Sequence, residues 1–370
     1  MSFKAVGGKF NFGVDIDDMW RYAGIPDPPS VVIPFLLRKK TYNGRFSLPA
    51  ARHPKRKYDI GDFTGSILKE ENTHEPWRLS RAVASFLRRN GVDYVRCWLP
   101  WNFFETSEDG VLKFPLDDFV KELDDAGIGI IAVIGDGYSR FIPNNIKTSN
   151  VETYVKRLIR TSRQIVRHYK GKIRVWQIEN EPNSWIGHEL ADWRSGLIWL
   201  NMHNQKIILG ALSHMAREEY RRAKLVINVD YIGLKVNWKW YSQYCDIIGI
   251  DSYPSYVNPF NTDMPKIAEV ATRARDETGL PVYMMETGYP TGPECVGFSE
   301  IRQAEYVKSA CKRASSCDSM MGMGIYRLAD SYWKSFPPQE NYFGLLDVQG
   351  RAKPAWNAYV RQIRKAKGHY

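Results

Sequence analysis

The order in which apolar runs and amphipathic stretches follow one another constrains this chain more than any single residue does. From residue 10 onward, short apolar runs of strand character alternate with longer segments whose apolar residues recur at helical spacing. Strands are predicted at 10–17 (FNFGVDID), 92–101 (VDYVRCWLPW), 128–134, from Ile173 to near Pro182, 224–229, 245–250, 281–285 and 322–328. Helices are predicted at 75–90, 115–126, 151–169, 197–222, 237–244, 265–278, 300–315 and 354–367. In 75–90, for example, Trp77, Leu79, Val83, Phe86 and Leu87 share a helical face and Gly91 supplies the stop. The run 128–134 is apolar throughout, as a strand buried on both faces of a parallel sheet must be.

Eight strands alternating with eight helices is the count of a (β/α)8 TIM barrel, here expected as one domain over 1–370. The alternative is a doubly wound open sheet, which usually has fewer strands and a glycine-rich turn after the first. Gly7 and Gly8 precede that strand, so the barrel is favoured. Residues 18–74 break the rhythm. They hold many Pro, Gly and basic residues without periodicity and read as a long insertion after strand 1.

The net charge of +11 is concentrated rather than spread. Residues 38–58 carry eight basic side chains and no acid, and 351–370 carry six and no acid. Neither segment contains a nucleic-acid-binding motif, so solvated surface is the expectation and no nucleic-acid partner is predicted. The basic stretch at 38–57 would favour anionic glycans if it flanked a cleft. No apolar run reaches the length of a membrane span, the first residues lack an apolar leader, and five scattered cysteines form no framework. A cytoplasmic location and no membrane partner are expected.

Chemistry concentrates at predicted strand ends. The fourth strand runs into Asn180-Glu181-Pro182, where Pro182 stops the ladder and leaves a carboxylate at the C-terminal rim. The seventh runs into Glu286 of PVYMMETGYP. Barrel active sites lie at that rim, and two carboxylates among aromatic residues are the equipment of glycoside hydrolysis. Arg96, near the end of strand 2, can supply a cation to a nucleophilic carboxylate, and Tyr253, past strand 6, can donate to it. Asn180 can hold a sugar hydroxyl. Strict alternation puts Glu179 and Glu181 on one face and Asn180 on the other, so a kink is needed for Asn180 and Glu181 to share the cleft. Glu179 is then a structural carboxylate. Asp136, Asp251 and Asp330 also lie at strand ends and are expected in local hydrogen bonding. Trp98, Trp101, Tyr138, Trp185, Tyr289 and Trp333 are candidates to stack on sugar rings, with ordinary packing as the alternative for each.

The segments W-x-x-x-N-E-P (Trp176, Asn180, Glu181, Pro182) and E-T-G-Y-P (Glu286–Pro290) resemble the clan A glycoside hydrolases. Arg96 is similar to that clan's strand-2 Arg, and Tyr253 in IIGIDSYP to its strand-6 Tyr. The resemblance spans most of the chain after residue 75. It implies Glu181 as acid/base, Glu286 as nucleophile, and retention at a β-configured sugar. ETGYPTG and the later D-x-x-W-K…E…FGL (Asp330, Trp333, Lys334, Glu340, Phe343) look like the 1,3-β-glucan-cleaving families. The NEP form is more like the family-5 cellulases and mannanases. The implied partner is a carbohydrate of β-glucan, β-mannan or β-galactoside type.

A metal-dependent hydrolase would need histidines and carboxylates clustered at strand ends. The seven histidines form no H-x-H and fall mostly in loops or helices, so no metal and no cofactor are predicted. A transglycosylase using the same residues, and a glycan-binding barrel without turnover, remain the other readings.

Overall fold

Eight parallel strands close on themselves in sequence order, β1 beside β8, in the computed structural model of the chain. It describes residues 10–15, 76–99, 101–105, 111–135, 143, 150–184, 202–231, 236–256, 258–261, 267–330 and 338–368. The predicted insertion at 18–74, with its basic stretch, lies outside them.

The strands are β1 (Asn11–Asp15), β2 (Tyr94–Trp98), β3 (Gly129–Ile134), β4 (Val175–Ile178), β5 (Lys224–Asp230), β6 (Ile247–Asp251), β7 (Val282–Glu286) and β8 (Met320–Ile325). Between and after them run α1 (Pro76–Arg89), α2 (Trp101–Phe104), α3 (Asp117–Asp125), α4 (Val151–Tyr169), α5 (Met202–Glu219), α6 (Trp238–Tyr241), α7 (Ile267–Thr278), α8 (Glu300–Ser315) and α9 (Pro354–Ala366). The barrel expected from the alternation is therefore the one observed. One short element is new: β2 stops at Trp98, and Trp101 opens the single turn α2 instead of ending the strand.

Local chemistry explains several boundaries. Asn150 caps α4 by accepting from the Thr153 amide at 2.8 Å, and Ser299 caps α8 through the Arg302 amide at 3.3 Å. Pro354 sits in the first turn of α9, where its missing N–H costs nothing. Tyr94, Ile131, Val175, Val226, Tyr283 and Met285, from β2, β3, β4, β5 and β7, form a buried cluster of their own. A Cβ at Gly13 would run into the Tyr94 ring, and one at Gly322 into that of Tyr283. Glycine on β1 and β8 is thus what lets two tyrosines fill the barrel.

The ladders also sort charge. Asp15 pairs in register with Arg96, Asp230 with Asp251, and Asp251 with Glu286. Between Ile250 and Asp251 the register slips, so that Ile250 faces Met284 and Asp251 faces Glu286. The slip takes up Met285, so Glu286 lies level with Asp251 at the C-terminal rim instead of one residue beyond it. At the opposite end, a cavity of about 680 Å³ lies among Lys170, Arg174, Arg222 and Lys224 and contains none of the predicted site residues. Among the described residues no helix is long and apolar enough to cross a membrane.

Candidate active site

The kink that Asn180 and Glu181 need is present, and it lies in the backbone. β4 ends at Ile178, after which Glu179 (φ +63°) and Glu181 (φ +41°) adopt left-handed conformations that non-glycine residues seldom take. Glu179 turns away from the rim. It is buried, and its carboxylate lies against the α-carbon of Gly135 and near Leu212 of α5. The loop beyond is fastened to β5. The Asn183 side chain donates to the Asp230 carbonyl at 2.8 Å and accepts from its amide at 3.0 Å, while the Ser184 hydroxyl donates to the Asp230 carboxylate at 2.8 Å. Such a constraint holds a strained backbone in place.

Arg96 is the hub. Fully buried on β2, it donates from Nε to Gln177 Oε1 at 2.6 Å and from Nη2 to Asn180 Oδ1 at 2.7 Å. Its Nη1 pairs with Asp15 of β1 and with Glu286 Oε1, the latter at 2.6 Å. The Tyr253 hydroxyl donates to the other Glu286 oxygen at 2.5 Å. Burial first, then the charge of Glu286, pushes the Tyr253 phenol well up, so it stays a donor. Glu286 therefore faces a cation on one oxygen and a phenol on the other, both of which favour its negative charge.

Asn228 of β5 joins the two acid-bearing strands. It donates to Asn180 Oδ1 at 2.6 Å and to Asp251 Oδ2, and its own oxygen accepts from Gln177 at 2.6 Å and from the Glu181 amide at 3.1 Å. Asn180 thereby receives three side-chain donors on its carbonyl oxygen, from Arg96, Gln177 and Asn228. Its amide nitrogen, with no partner among the described residues, is the donor it can offer.

Glu181, Asp251 and Glu286 each bring a carboxylate oxygen within 4.8 Å of the other two. The two outer members sit in opposite surroundings. Burial pushes the Glu181 carboxyl well above its ordinary range, and the nearby charges of Asp230, Asp251 and Glu286 push it further. Glu286 has the cation, and Glu181 has none among the described residues. Oxygen atoms this close can take a divalent cation, but hard cations want about six or more oxygen ligands and Glu286 is already committed to Arg96 and Tyr253. The trio carries the groups that acid–base and nucleophilic chemistry need.

Arg96, Asn180, Glu181, Tyr253 and Glu286, the residues singled out in the sequence, thus converge. Trp98 is close by, with the Arg96 guanidinium 5.4 Å from its ring centre. Two aromatic expectations need correction. Trp101 is buried against Tyr154 and donates to Glu105 Oε2 at 2.5 Å, within an ion-pair cluster that also ties Arg157 and Arg160 to Glu105. Tyr289 is fully buried between Phe298 and Tyr306, its hydroxyl donating to the Pro259 carbonyl at 2.7 Å. Neither offers a ring face to a ligand. Tyr138, Trp185 and Trp333, and Asp136 and Lys334 with them, lie outside the described residues.

Asp15, Gln177 and Asn228 escaped the sequence reading, while Asp251, expected in local hydrogen bonding, accepts from Asn228. A signal existed for two of them: Gln177 in VWQI and Asn228 in VINVD are polar side chains inside otherwise apolar strands. A buried polar group there must have polar partners.

No family model matches the chain, and no curated protein matches it. Solved structures do. A GH5_18 protein from Streptomyces cattleya, in complex with GlcNAc, superposes with a TM-score of 0.66 at 17% identity over 78% of this chain and 75% of that one. A GH5_18 variant from Bifidobacterium longum subsp. longum, in complex with Manb1-4GlcNAc, gives 0.63 at 16% over 78% and 73%. The native xylanase 10B of Thermotoga maritima gives 0.60 at 17% over 78% and 91%. These glycoside hydrolase families fall in the clan that the NEP and ETGYP segments resemble. At such identities the likeness is one of fold.

Proposed function

We propose that the chain is a retaining glycoside hydrolase acting on β-linked glycosides or oligosaccharides, with Glu181 as acid/base and Glu286 as nucleophile. One observation carries the reading: two carboxylates within 4.8 Å of each other in surroundings of opposite sign. Retaining enzymes hold their carboxyl groups about 5–5.5 Å apart, whereas inverting ones leave room for a water at roughly 6.5–9.5 Å. The close spacing favours direct attack by Glu286 on the anomeric carbon.

In this mechanism Glu286, stabilised by Arg96 and Tyr253, attacks while Glu181 gives its proton to the departing oxygen. Loss of the Glu286 charge on forming the glycosyl ester removes one of the influences that hold the Glu181 proton. Glu181, now ionised, accepts a proton from the water that attacks the ester, and both carboxyl groups return to their starting states. The free amide nitrogen of Asn180 is placed to donate to a hydroxyl of the bound sugar. The proposed substrate is a carbohydrate of β-glucan, β-mannan or β-galactoside type, as the sequence resemblance implies, acted on in a cytoplasmic setting; the GlcNAc and Manb1-4GlcNAc bound by the structural neighbours support a carbohydrate ligand in general.

The test is a panel of β-linked aryl glycosides and oligosaccharides. Glu286→Ala should abolish turnover, and azide should partly restore it with a β-configured azide adduct. Glu181→Ala should spare substrates with activated leaving groups in the first step. Near-normal activity of both variants on every cleaved glycoside would refute the assignment. Binding without turnover across the panel would indicate a glycan-binding barrel, and oligosaccharide products longer than the substrate a transglycosylase.

A further inference from the structure

Asp251 has a buried oxygen with nothing to bind it. The residue is fully buried at the end of β6, and its Oδ2 accepts from Asn228, but its Oδ1 has no hydrogen-bond donor among the described residues. A buried carboxylate oxygen left without a donor is costly, so such a group calls for an explanation. The ordinary donors nearby are engaged. Arg96 is distributed over Asp15, Gln177, Asn180 and Glu286, and the Tyr253 hydroxyl is given to Glu286. Among the described residues, the Glu181 carboxyl group brings an oxygen within 4.8 Å of an Asp251 oxygen.

We propose that Asp251 is a positioning residue for the acid: its Oδ1 accepts a hydrogen bond from the protonated Glu181 carboxyl, and the two groups share one proton in the resting site. The inference rests on the reading of Glu181 as the acid/base. It assigns the proton to Glu181 because the two partners are not equivalent. Burial and the Glu286 charge push the Asp251 carboxyl up as well, but Asp251 has the Arg96 charge and the Asn228 donor to offset them. Glu181 is surrounded by acids: Asp230 from β5, Asp251 from β6 and Glu286 from β7. Three other titratable groups among the described residues of this rim are occupied elsewhere. Asp15 of β1 is paired with Arg96, Glu179 is turned toward Gly135, and Tyr326 after β8 donates to Glu340 at 3.1 Å. The hydrogen bond and the Asp251 charge act in the same direction, keeping Glu181 protonated where a solvated glutamic acid would have ionised.

When the glycosidic bond breaks, the Glu181 O–H bond breaks with it. The proton goes to the leaving oxygen and the electron pair stays on Glu181. Two anions then face each other until the attacking water supplies a proton to Glu181. Asp251 never takes the proton away. It holds the carboxyl in one rotamer and sets how readily it is given up.

Two readouts on the intact chain test this. In the pH profile of kcat/KM for a β-aryl glycoside, Asp251→Asn should move the alkaline limb to lower pH by at least about one unit, because a neutral amide removes the repulsion and can donate to ionised Glu181. The loss at neutral pH should be large for poor leaving groups and small for activated ones. An unmoved limb with a uniform loss on all substrates would overturn the proposal. Carboxyl carbon-13 NMR of the glutamate-labelled protein gives a readout independent of turnover. The resonance missing from Glu181→Gln should titrate well above the ordinary glutamate range and fall in Asp251→Asn. If that resonance behaves so in a protein that cleaves no glycoside, the hydrolase reading fails and this inference stands. If glycosides are cleaved but the resonance is unmoved in Asp251→Asn, the inference fails alone. Should Asp251→Asn not fold, a wild-type Glu181 resonance titrating in the ordinary range would be enough to overturn it.

Discussion

Replacing Arg96 with methionine keeps most of the side-chain volume and removes the charge, which makes it the sharpest test of how the rim is held. Arg96 is fully buried and bonds four side chains, two of them the carboxylates Asp15 and Glu286. Summing those bonds singly would count the same desolvation more than once. The better measure is the cost of breaking a buried ion pair from one side, about 3–5 kcal/mol, because what remains is an uncompensated buried charge. Against a typical total of roughly 5–15 kcal/mol, that is about a fifth or more of the stability. In urea, followed by circular dichroism, Arg96→Met should lower the midpoint with little change in slope. If the cost comes from stranded charge, adding Asp15→Asn should recover part of it, with a coupling of about 1 kcal/mol or more between the two sites. A loss below about 1 kcal/mol for Arg96→Met, or strictly additive effects in the double variant, would refute the reasoning.

Two other outcomes follow from features away from the carboxylates. Glu219 receives Arg163 and Arg167 across the α4–α5 packing, and its carboxyl is lowered to about 2, with the Arg167 hydrogen bond as the largest cause. A depressed carboxyl stabilises above the unfolded value and loses that contribution as pH falls through the folded one. Glu219→Gln should therefore be less stable than wild type at neutral pH by roughly 1 kcal/mol or less, since the arginines are solvated, with the difference vanishing toward pH 2 in thermal melts. Trp101→Phe should lower stability by about 1–3 kcal/mol by stranding part of the Glu105 cluster, and should leave KM for any cleaved glycoside unchanged. A raised KM with intact stability would return Trp101 to the list of sugar-facing rings.

The barrel was legible because its signal is long and repeated. Each apolar run was bounded by a turn residue, and one misread boundary, such as the strand end at Trp101 that became α2, left the count unchanged. The acid pair was legible for a related reason: strand ends put Glu181 and Glu286 on the same rim. What the sequence did not disclose is what depends on register and conformation. That Asp251 lies opposite Glu286 follows from a one-residue slip in the β6–β7 ladder, which no alternation pattern records. The left-handed turns at Glu179 and Glu181 could be required by geometry but not located, since glutamate carries no marker for positive φ. Trp101 and Tyr289 were misplaced for the opposite reason. Tryptophan and tyrosine at strand ends serve packing and ligands alike, and the spacing of Trp101 and Tyr289 does not distinguish the two.

The hub arginine has a consequence for assembly. Its carboxylate partners come from the first strand and the seventh, and its amide partners from the fourth. A sheet that stayed open at the β1–β8 seam would be missing Asp15 from the ring of contacts that fixes Glu286. β1, made before the other seven strands of the barrel, thus supplies a residue that becomes useful only after those strands have folded around it. Competence of the site is in this sense a report on closure: it is the last thing the chain can acquire and among the first it would lose if the seam were to open.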